Sequence, residues 1–357
     1  MKGKKLVQFI GIGFLSLVMI FSIVISAQEA QAKPVTLVLT THEAPGGTYA
    51  TGFYAAWMAE IEKRTNGQVK IEPHFGGELV NMMDAYDACR KGAVDVAGFL
   101  TQMVTGKFPM DEIVTFTTYD NINYRIGRSF YELYKKFPEF QAEYKDVKLL
   151  FLGATYFTSL TSTKKTGPIT SMDQINGKKY VGIGKWASAR AEALGWSLAS
   201  LPPQDVFTAF QTGVVDAGPM GTLFILWDWG WGELFPYCTR VRTNSTPIAI
   251  VLNLDKWNKL SKDVQNAMDE TIEWSIDYHD EWQIKVDIDL KPKIAEKFGT
   301  EFLELTKEET ARWNAADQPV RDKYVAELEA NGMPGKELMA EWLRLEEKYS
   351  TPPDFAK

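Results

Sequence analysis

The sequence predicts an α/β protein built as two similar lobes, with strands crossing between them and one long helix spanning both. Three observations carry this expectation. The segment Asp87-Ala-Cys-Arg-Lys-Gly-Ala-Val-Asp-Val-Ala-Gly98 has a second copy inside Pro203-Gln-Asp-Val-Phe-Thr-Ala-Phe-Gln-Thr-Gly-Val-Val-Asp-Ala-Gly-Pro-Met-Gly221. Ala88, Gly92, Val94 and Asp95 match Ala209, Gly213, Val215 and Asp216 at a constant offset of 121 residues. Each copy reads as a helix stopped by glycine, where the left-handed conformation costs no Cβ clash, followed at once by a short buried strand. The 357 residues exceed the size at which one core keeps growing, so two lobes also follow from length. From Lys262 the pattern is helical for about 30 residues, with Val264, Met268, Ile272, Ser275, His279, Trp282, Val286 and Leu290 on one stripe.

Residues 1–32 are set aside as a secretory signal peptide. Lys2, Lys4 and Lys5 precede an uncharged apolar run from Leu6 to Ser26, and Ala30-Gln-Ala32 supplies a small-x-small cleavage pattern. This predicts export of the mature protein. The run is close to the roughly 20 residues that span a bilayer, so an uncleaved anchor is the competing expectation.

Residues 33–155 and 247–286 are assigned to the first lobe, and 156–246 with 287–357 to the second. In the first, Lys33 to Thr41 is a buried strand and the turn His42-Glu-Ala-Pro-Gly-Gly47 follows. A helix carrying Phe53, Trp57 and Ile61 ends at Asn66-Gly67, and Val69 to Phe75 is the next strand. The first repeat copy comes next, then a loop-rich aromatic stretch at 106–125, a helix from Tyr124 to Phe140, and the strand Lys148 to Ala154. The second lobe opens with Leu160 to Thr163 and continues through a turn at Ser171, a strand Lys179 to Ile183, and a helix Ala187 to Leu194 closed by Gly195. The second repeat copy then leads to the aromatic run Leu226-Trp-Asp-Trp-Gly-Trp-Gly-Glu-Leu-Phe235, and the apolar strand Pro247 to Leu254 returns to the first lobe. Pro292 should kink or end the long helix, and the tail helices look like packing. Because strand ends and helix N-termini leave backbone groups free at one edge of an open α/β sheet, a ligand cleft is expected where the two lobes face each other.

Composition narrows the function. Setting aside residues 1–32 leaves 36 basic and 45 acidic side chains, a net charge of about −9, which repels phosphate backbones; nucleic acid is an unsuitable partner. Cys89 and Cys238 are the two cysteines, and both sit where small buried thiols are common, so two free thiols are expected. His42, His74 and His279 do not pair with cysteine or carboxylate at metal-ligand spacing. No nucleophile elbow occurs, and Gly182-Ile-Gly-Lys185-Trp186 lacks the first glycine and the final hydroxyl of a phosphate loop. Neither a catalytic constellation nor a cofactor is indicated.

Five blocks in order then resemble the solute-binding proteins of tripartite ATP-independent periplasmic (TRAP) transporters. These are Thr65-Asn-Gly67; Gly76-Gly-Glu-Leu79 leading to Lys91-Gly-Ala-Val-Asp95; Leu160-Thr-Ser-Thr-Lys-Lys165; Asn176-Gly-Lys-Lys179; and Leu201-Pro through Val206-Phe-Thr-Ala-Phe-Gln-Thr-Gly-Val-Val-Asp216. The resemblance covers nearly all of residues 35–350. It implies a two-lobe periplasmic-binding-protein-like fold with hinge strands, closing on a small solute without chemistry and handing it to membrane subunits, with the receptor itself a monomer.

The same resemblance implies an arginine in the strand after Asn176-Gly-Lys-Lys179, where a planar guanidinium pairs with a ligand carboxylate; this chain has Val181 there, or Tyr180 one residue earlier. A second arginine is matched by Thr158, an acidic residue by Met82 and an asparagine by Met220. A buried carboxylate without its partner costs several kcal/mol, so a dicarboxylate grip is not expected. The expected ligand site is instead Glu43, Met82, Phe99, Tyr156, Thr158, Val181, Trp186, Met220 and Trp227, suited to an aromatic or largely apolar solute. Trp229 and Trp231 are assigned to core packing. Lys185, Arg190 or Arg125 would supply a displaced cation for a monocarboxylate, and tryptophan faces near Glu43 or Asp228 would alternatively cage a quaternary ammonium. An enzyme or a ligand sensor on the same scaffold is the competing class.

Overall fold

The computed structural model describes residues 34–119, 122–156, 158–201 and 205–356. The expected signal peptide lies outside them, as do residues 203 and 204 of the second repeat copy. Among the described residues no helix is long and apolar enough to cross a membrane.

Two sheets carry the chain. The first is built from β1 (Val35–Thr41), β2 (Val69–His74), β3 (Val96–Leu100), β4 (Val147–Ala154) and β10 (Pro247–Asn253), in the order β2-β1-β3-β10-β4. β1 and β3 run parallel, whereas β10 lies antiparallel between β3 and β4, so the strand expected to return from the second lobe does so. Both faces of this sheet are covered, and the pleat sorts the apolar run of β10 between them. Ile248, Ile250 and Leu252 join Trp57 and Ile61 on one face, while Ala249 and Val251 join Phe130 and Leu133 on the other. The second sheet holds β5 (Thr158–Ser162), β6 (Lys179–Val181), β7 (Ser197–Ala199), β8 (Ala217–Gly218), β9 (Tyr237–Asn244) and β11 (Glu301–Leu303), in the order β11-β9-β5-β8-β6-β7.

The repeat has one structural meaning in both lobes. α2 (Ala85–Arg90) and α6 (Val206–Thr212) end before Gly92 and Gly213, both with positive φ, 79° and 72°. The aspartate that follows then stitches the incoming strand to its parallel neighbour. Asp95 Oδ2 accepts from Val38 N at 3.0 Å, and Asp216 Oδ2 accepts from Lys179 N at 2.8 Å. The strand begins after the aspartate, so Asp95 and Asp216 mark its amino end and the cleft opens at the opposite end, beyond Leu100 and Gly218.

The helices depart from expectation where proline intervenes. The single helix expected at 124–140 is two, α3 (Ile126–Lys136) and α4 (Pro138–Glu143), because Pro138 drives the preceding Phe137 out of helical geometry, to φ −108° and ψ 111°. Pro292 does not end the long helix α9 (Lys262–Phe298), which runs 37 residues to Gly299. Burial of Leu290 and Ile294 on either side of the proline holds the helix through the lost hydrogen bond. α9 packs Met268, Ile272 and Ile276 into the first lobe and Leu290 and Ile294 into the second. The C-terminal helices α10 (Lys307–Ala330) and α11 (Gly335–Lys348), assigned from sequence to the second lobe, pack on both. Tyr324, Leu338 and Trp342 join the core of Phe130 and Leu133, whereas Trp313 joins Leu160 and Tyr180. Cys89 and Cys238 are free and buried, and burial pushes their thiols up to about 12 and about 11.

Candidate functional site

Two extended segments join the sheets, one between β4 and β5 and one between β9 and β10. They hydrogen-bond to each other where they cross: Thr155 N donates to Thr246 O at 2.9 Å, and Thr246 N to Thr155 Oγ1 at 2.8 Å. The long helix is fastened to this crossing through Gln283, whose Oε1 accepts from Tyr156 N at 2.7 Å and whose Nε2 donates to Ala154 O at 3.1 Å. A hinge of two paired strands is thus braced by one side chain.

In front of the hinge lies a cavity of about 380 Å³ between the lobes, within the range of sites for small organic molecules. The first lobe contributes His42, Glu43 and Tyr49 after β1, then Met82, Met83, Leu100 and Met103. The second contributes the Gly182–Gly184 turn leading into α5 (Lys185–Ala193), Met220, and Phe224, Trp229 and Trp231 in and after α7 (Leu223–Asp228). Thr155, Thr158, Asn244 and Thr246 face it from the hinge. Four methionines and two tryptophans make a soft, polarisable wall. The lobes are tied across the cleft: Thr48 N and Oγ1 donate to the two Asp228 carboxyl oxygens at 2.7 and 2.9 Å, and the Tyr49 ring meets Phe224 edge-on at 4.9 Å.

No lysine or arginine lines the cavity among the described residues. Burial holds the His42 imidazole down at about 4 and pushes the Glu43 carboxyl up to about 8, with the negative Asp228 adding to the latter. Each displaced cation considered from sequence is engaged elsewhere. Lys185 Nζ pairs with Glu327 and lies over the Trp186 ring at 4.5 Å. Arg190 is buried, with Nε donating to Asp317 at 2.8 Å and Nη2 to Thr117 O at 3.0 Å. Arg125 pairs with Asp277 on α9.

Of the nine residues expected at the site, Glu43, Met82, Thr158 and Met220 line the cavity. The other five are placed elsewhere. Phe99 is wholly buried against Tyr86 and Phe108, because strand alternation turns it away and presents Leu100. Val181 sits in the second-lobe core, and the residues just after it reach the cleft. Trp186 points back along α5 onto Phe116 and Tyr324. Trp227 packs against Phe298 beneath Lys297 Nζ. Tyr156 belongs to the hinge, its ring tilted against Tyr124 at 5.9 Å beside a separate cavity of about 220 Å³. Conversely, Trp229 and Trp231, assigned to core packing, line the cleft, with Trp229 46% exposed. Thr155, Asn244 and Thr246 were missed; the available signal was the cluster of polar residues bracketing two otherwise apolar strands.

Comparison with known proteins agrees with this geometry. The sequence profile of bacterial extracellular solute-binding protein, family 7, matches residues 40–328. A C4-dicarboxylate-binding periplasmic protein from Rhodobacter capsulatus is 26% identical over 312 residues, covering 84% of this chain and 90% of its own length. A marine metagenome TRAP solute binding protein specific for aromatic acid ligands, in complex with metahydroxyphenylacetate, superposes with a TM-score of 0.80 at 19% identity, over 89% of this chain and 100% of that one. A TRAP solute binding protein from Rhodoferax ferrireducens T118 with copurified benzoate superposes with a TM-score of 0.80 at 18% identity, over 88% and 98% of the two chains. The profile match takes in both sheets, the hinge and the whole cleft, and the chain belongs to family 7 of the bacterial extracellular solute-binding proteins.

Proposed function

We propose that the protein is the periplasmic receptor of a TRAP transporter, a non-enzymatic monomer that encloses a small aromatic or largely apolar organic solute, a monocarboxylate included, and delivers it to the membrane subunits. One observation carries the choice of solute: the cleft wall is rich in methionine and aromatic side chains, with no lysine or arginine among its described lining residues. A dicarboxylate would bring two charges into that wall with no guanidinium to meet them, at several kcal/mol. The dicarboxylate named for the Rhodobacter capsulatus relative is therefore not carried over, whereas the aromatic acids of the two structural neighbours suit the cavity's size and wall.

A thermal-shift panel of benzoate, metahydroxyphenylacetate, succinate and a quaternary amine tests the proposal. A true ligand at 100 times its Kd stabilises by about 2.7 kcal/mol, so at least one aromatic compound should raise Tm by several degrees. Stabilisation by succinate alone would overturn the reading.

A further inference from the structure

Glu43 lines the cleft without a counter-ion. It is 8% exposed, and among the described residues no hydrogen bond reaches its carboxyl; His42 Nε2 lies 3.6 Å away. The groups that face it are His42 beside it, Tyr49 and Tyr54 on the helical turn that leads into α1 (Ala55–Arg64), and Asp228 at the end of α7. Burial keeps both tyrosines protonated and His42 neutral, which leaves the like charge of Asp228 as the field acting on Glu43. A carboxyl buried under those conditions neutralises rather than remaining an unpaired anion. On the wall of the same cavity, Thr158 Oγ1 lies 3.5 Å from Thr155 Oγ1 and 3.4 Å from Thr222 Oγ1. These hydroxyl donors are neutral.

We infer that Glu43 is the specificity-determining residue of the cleft: as a neutral carboxyl it donates its proton in a hydrogen bond to the carboxylate of an aromatic monocarboxylate, so that solute capture is linked to the proton on Glu43. The inference rests on the aromatic-solute reading above. An O–H to carboxylate bond is charge-assisted, shorter and about twice as strong as a neutral one, and one shared proton lets two carboxyls lie side by side where two anions would repel. The threonine hydroxyls take the remaining lone pairs of the guest. Loss of the Glu43 proton leaves two like charges in a low-dielectric pocket and expels the ligand. No bond is made or broken beyond this hydrogen bond.

Isothermal titration of benzoate and 3-hydroxybenzoate into the purified protein from pH 6 to pH 9, in two buffers of different ionisation enthalpy, tests this, with Glu43→Gln alongside. Both ligands are ionised throughout that range. The wild-type Kd should stay flat at low pH and rise toward tenfold per pH unit above about 8. Proton uptake should approach one per ligand at the top of the range, and the Glu43→Gln profile should be flat. A flat wild-type profile, or the same slope in Glu43→Gln, would overturn the proton-sharing role and leave the aromatic receptor standing. Benzylamine that binds more tightly as pH rises, and is lost in Glu43→Gln, would overturn it too, with Glu43 acting as an anion. If no probe binds a folded wild-type protein at any pH, the aromatic-solute reading itself fails and this inference with it.

Discussion

Removing the Thr48–Asp228 tie should weaken solute binding without unfolding the protein. Thr48 lies between β1 and α1 of the first lobe, and Asp228 ends α7 of the second. Their two bonds, 2.7 and 2.9 Å, are the direct polar link across the cleft between these segments. Hydrogen bonds to a charged acceptor contribute about 1.5–3 kcal/mol when buried; both residues here are half-buried, so solvent screening brings each to the low end or below. In a receptor that closes about a hinge, a tie between the lobes forms on closure, so its loss should appear in Kd. At about 1.4 kcal/mol per factor of ten, Thr48→Val, which keeps the backbone bond and deletes the hydroxyl bond, should raise Kd roughly fivefold. Asp228→Ala deletes both and should raise it some 30-fold. Asp228→Ala also withdraws a negative charge that faces Glu43, whereas Thr48→Val does not, so agreement in sign between the two isolates the tie from the charge. Calorimetry with the best ligand of the thermal-shift panel gives Kd, and small-angle scattering with and without ligand reports closure. If both variants bind within twofold of wild type, the tie does not help hold the closed form.

Three further outcomes are expected. Trp229→Ala should cost about tenfold in affinity with Tm unchanged, since the ring is half exposed on the cleft wall, whereas Trp227→Ala, packed on Phe298, should lower Tm and leave Kd alone; the reverse pattern in paired calorimetry and melting would show the wall misassigned. Arg190→Met strands the fully buried Asp317 on Arg321 alone, and urea denaturation should show a loss of about 3–5 kcal/mol with ligand affinity intact. The buried Asp111–Glu143 pair titrates well above the ordinary carboxylate range, chiefly through burial, with the Asp111 charge adding to the shift at Glu143. In the unfolded chain both ionise near pH 4, so the folded state keeps protons that the unfolded state releases, and stability must fall as pH rises from there toward the raised folded values. Glu143→Gln should flatten that decline between pH 6 and pH 9 in denaturation midpoints; an unchanged slope would mean the pair is already ionised.

Much of the fold was legible because it is written in backbone requirements. The offset repeat predicted two lobes, and Gly92 and Gly213 both adopt the left-handed conformation that helix termination before a strand demands. The role of the paired aspartates was harder to see. Spacing shows that Asp95 and Asp216 recur, but their carboxyls serve the backbone amides of Val38 and Lys179, partners dozens of residues earlier that are identified only once the parallel pairing is known. The proline effects divide the same way. Pro138 broke a helix as its local rule requires, while Pro292 did not, because tertiary burial of its neighbours outweighs one lost hydrogen bond.

The site was half legible, and two of the five residues placed elsewhere share one physical origin. A strand turns adjacent residues to opposite faces, so an error of one position exchanges a cleft residue for a core residue. Phe99 for Leu100 and Val181 for Gly182 are that error on strands. The tryptophans are a different error: Trp227 and Trp229 lie two positions apart at the end of α7 and Trp186 opens another helix, and composition does not discriminate because all four candidates are tryptophans. What survives a one-residue slip is charge. A shift of register moves a neutral side chain unnoticed, but a cation brought to the cleft would need a lysine or arginine near these strand ends. The three cations considered from sequence, Lys185, Arg190 and Arg125, are committed to Glu327, Asp317 and Asp277. The expectation drawn from missing guanidiniums therefore outlasts the misassigned aromatics. On the proposed reading, it leaves Glu43 as the group whose protonation decides whether an anionic guest is tolerated.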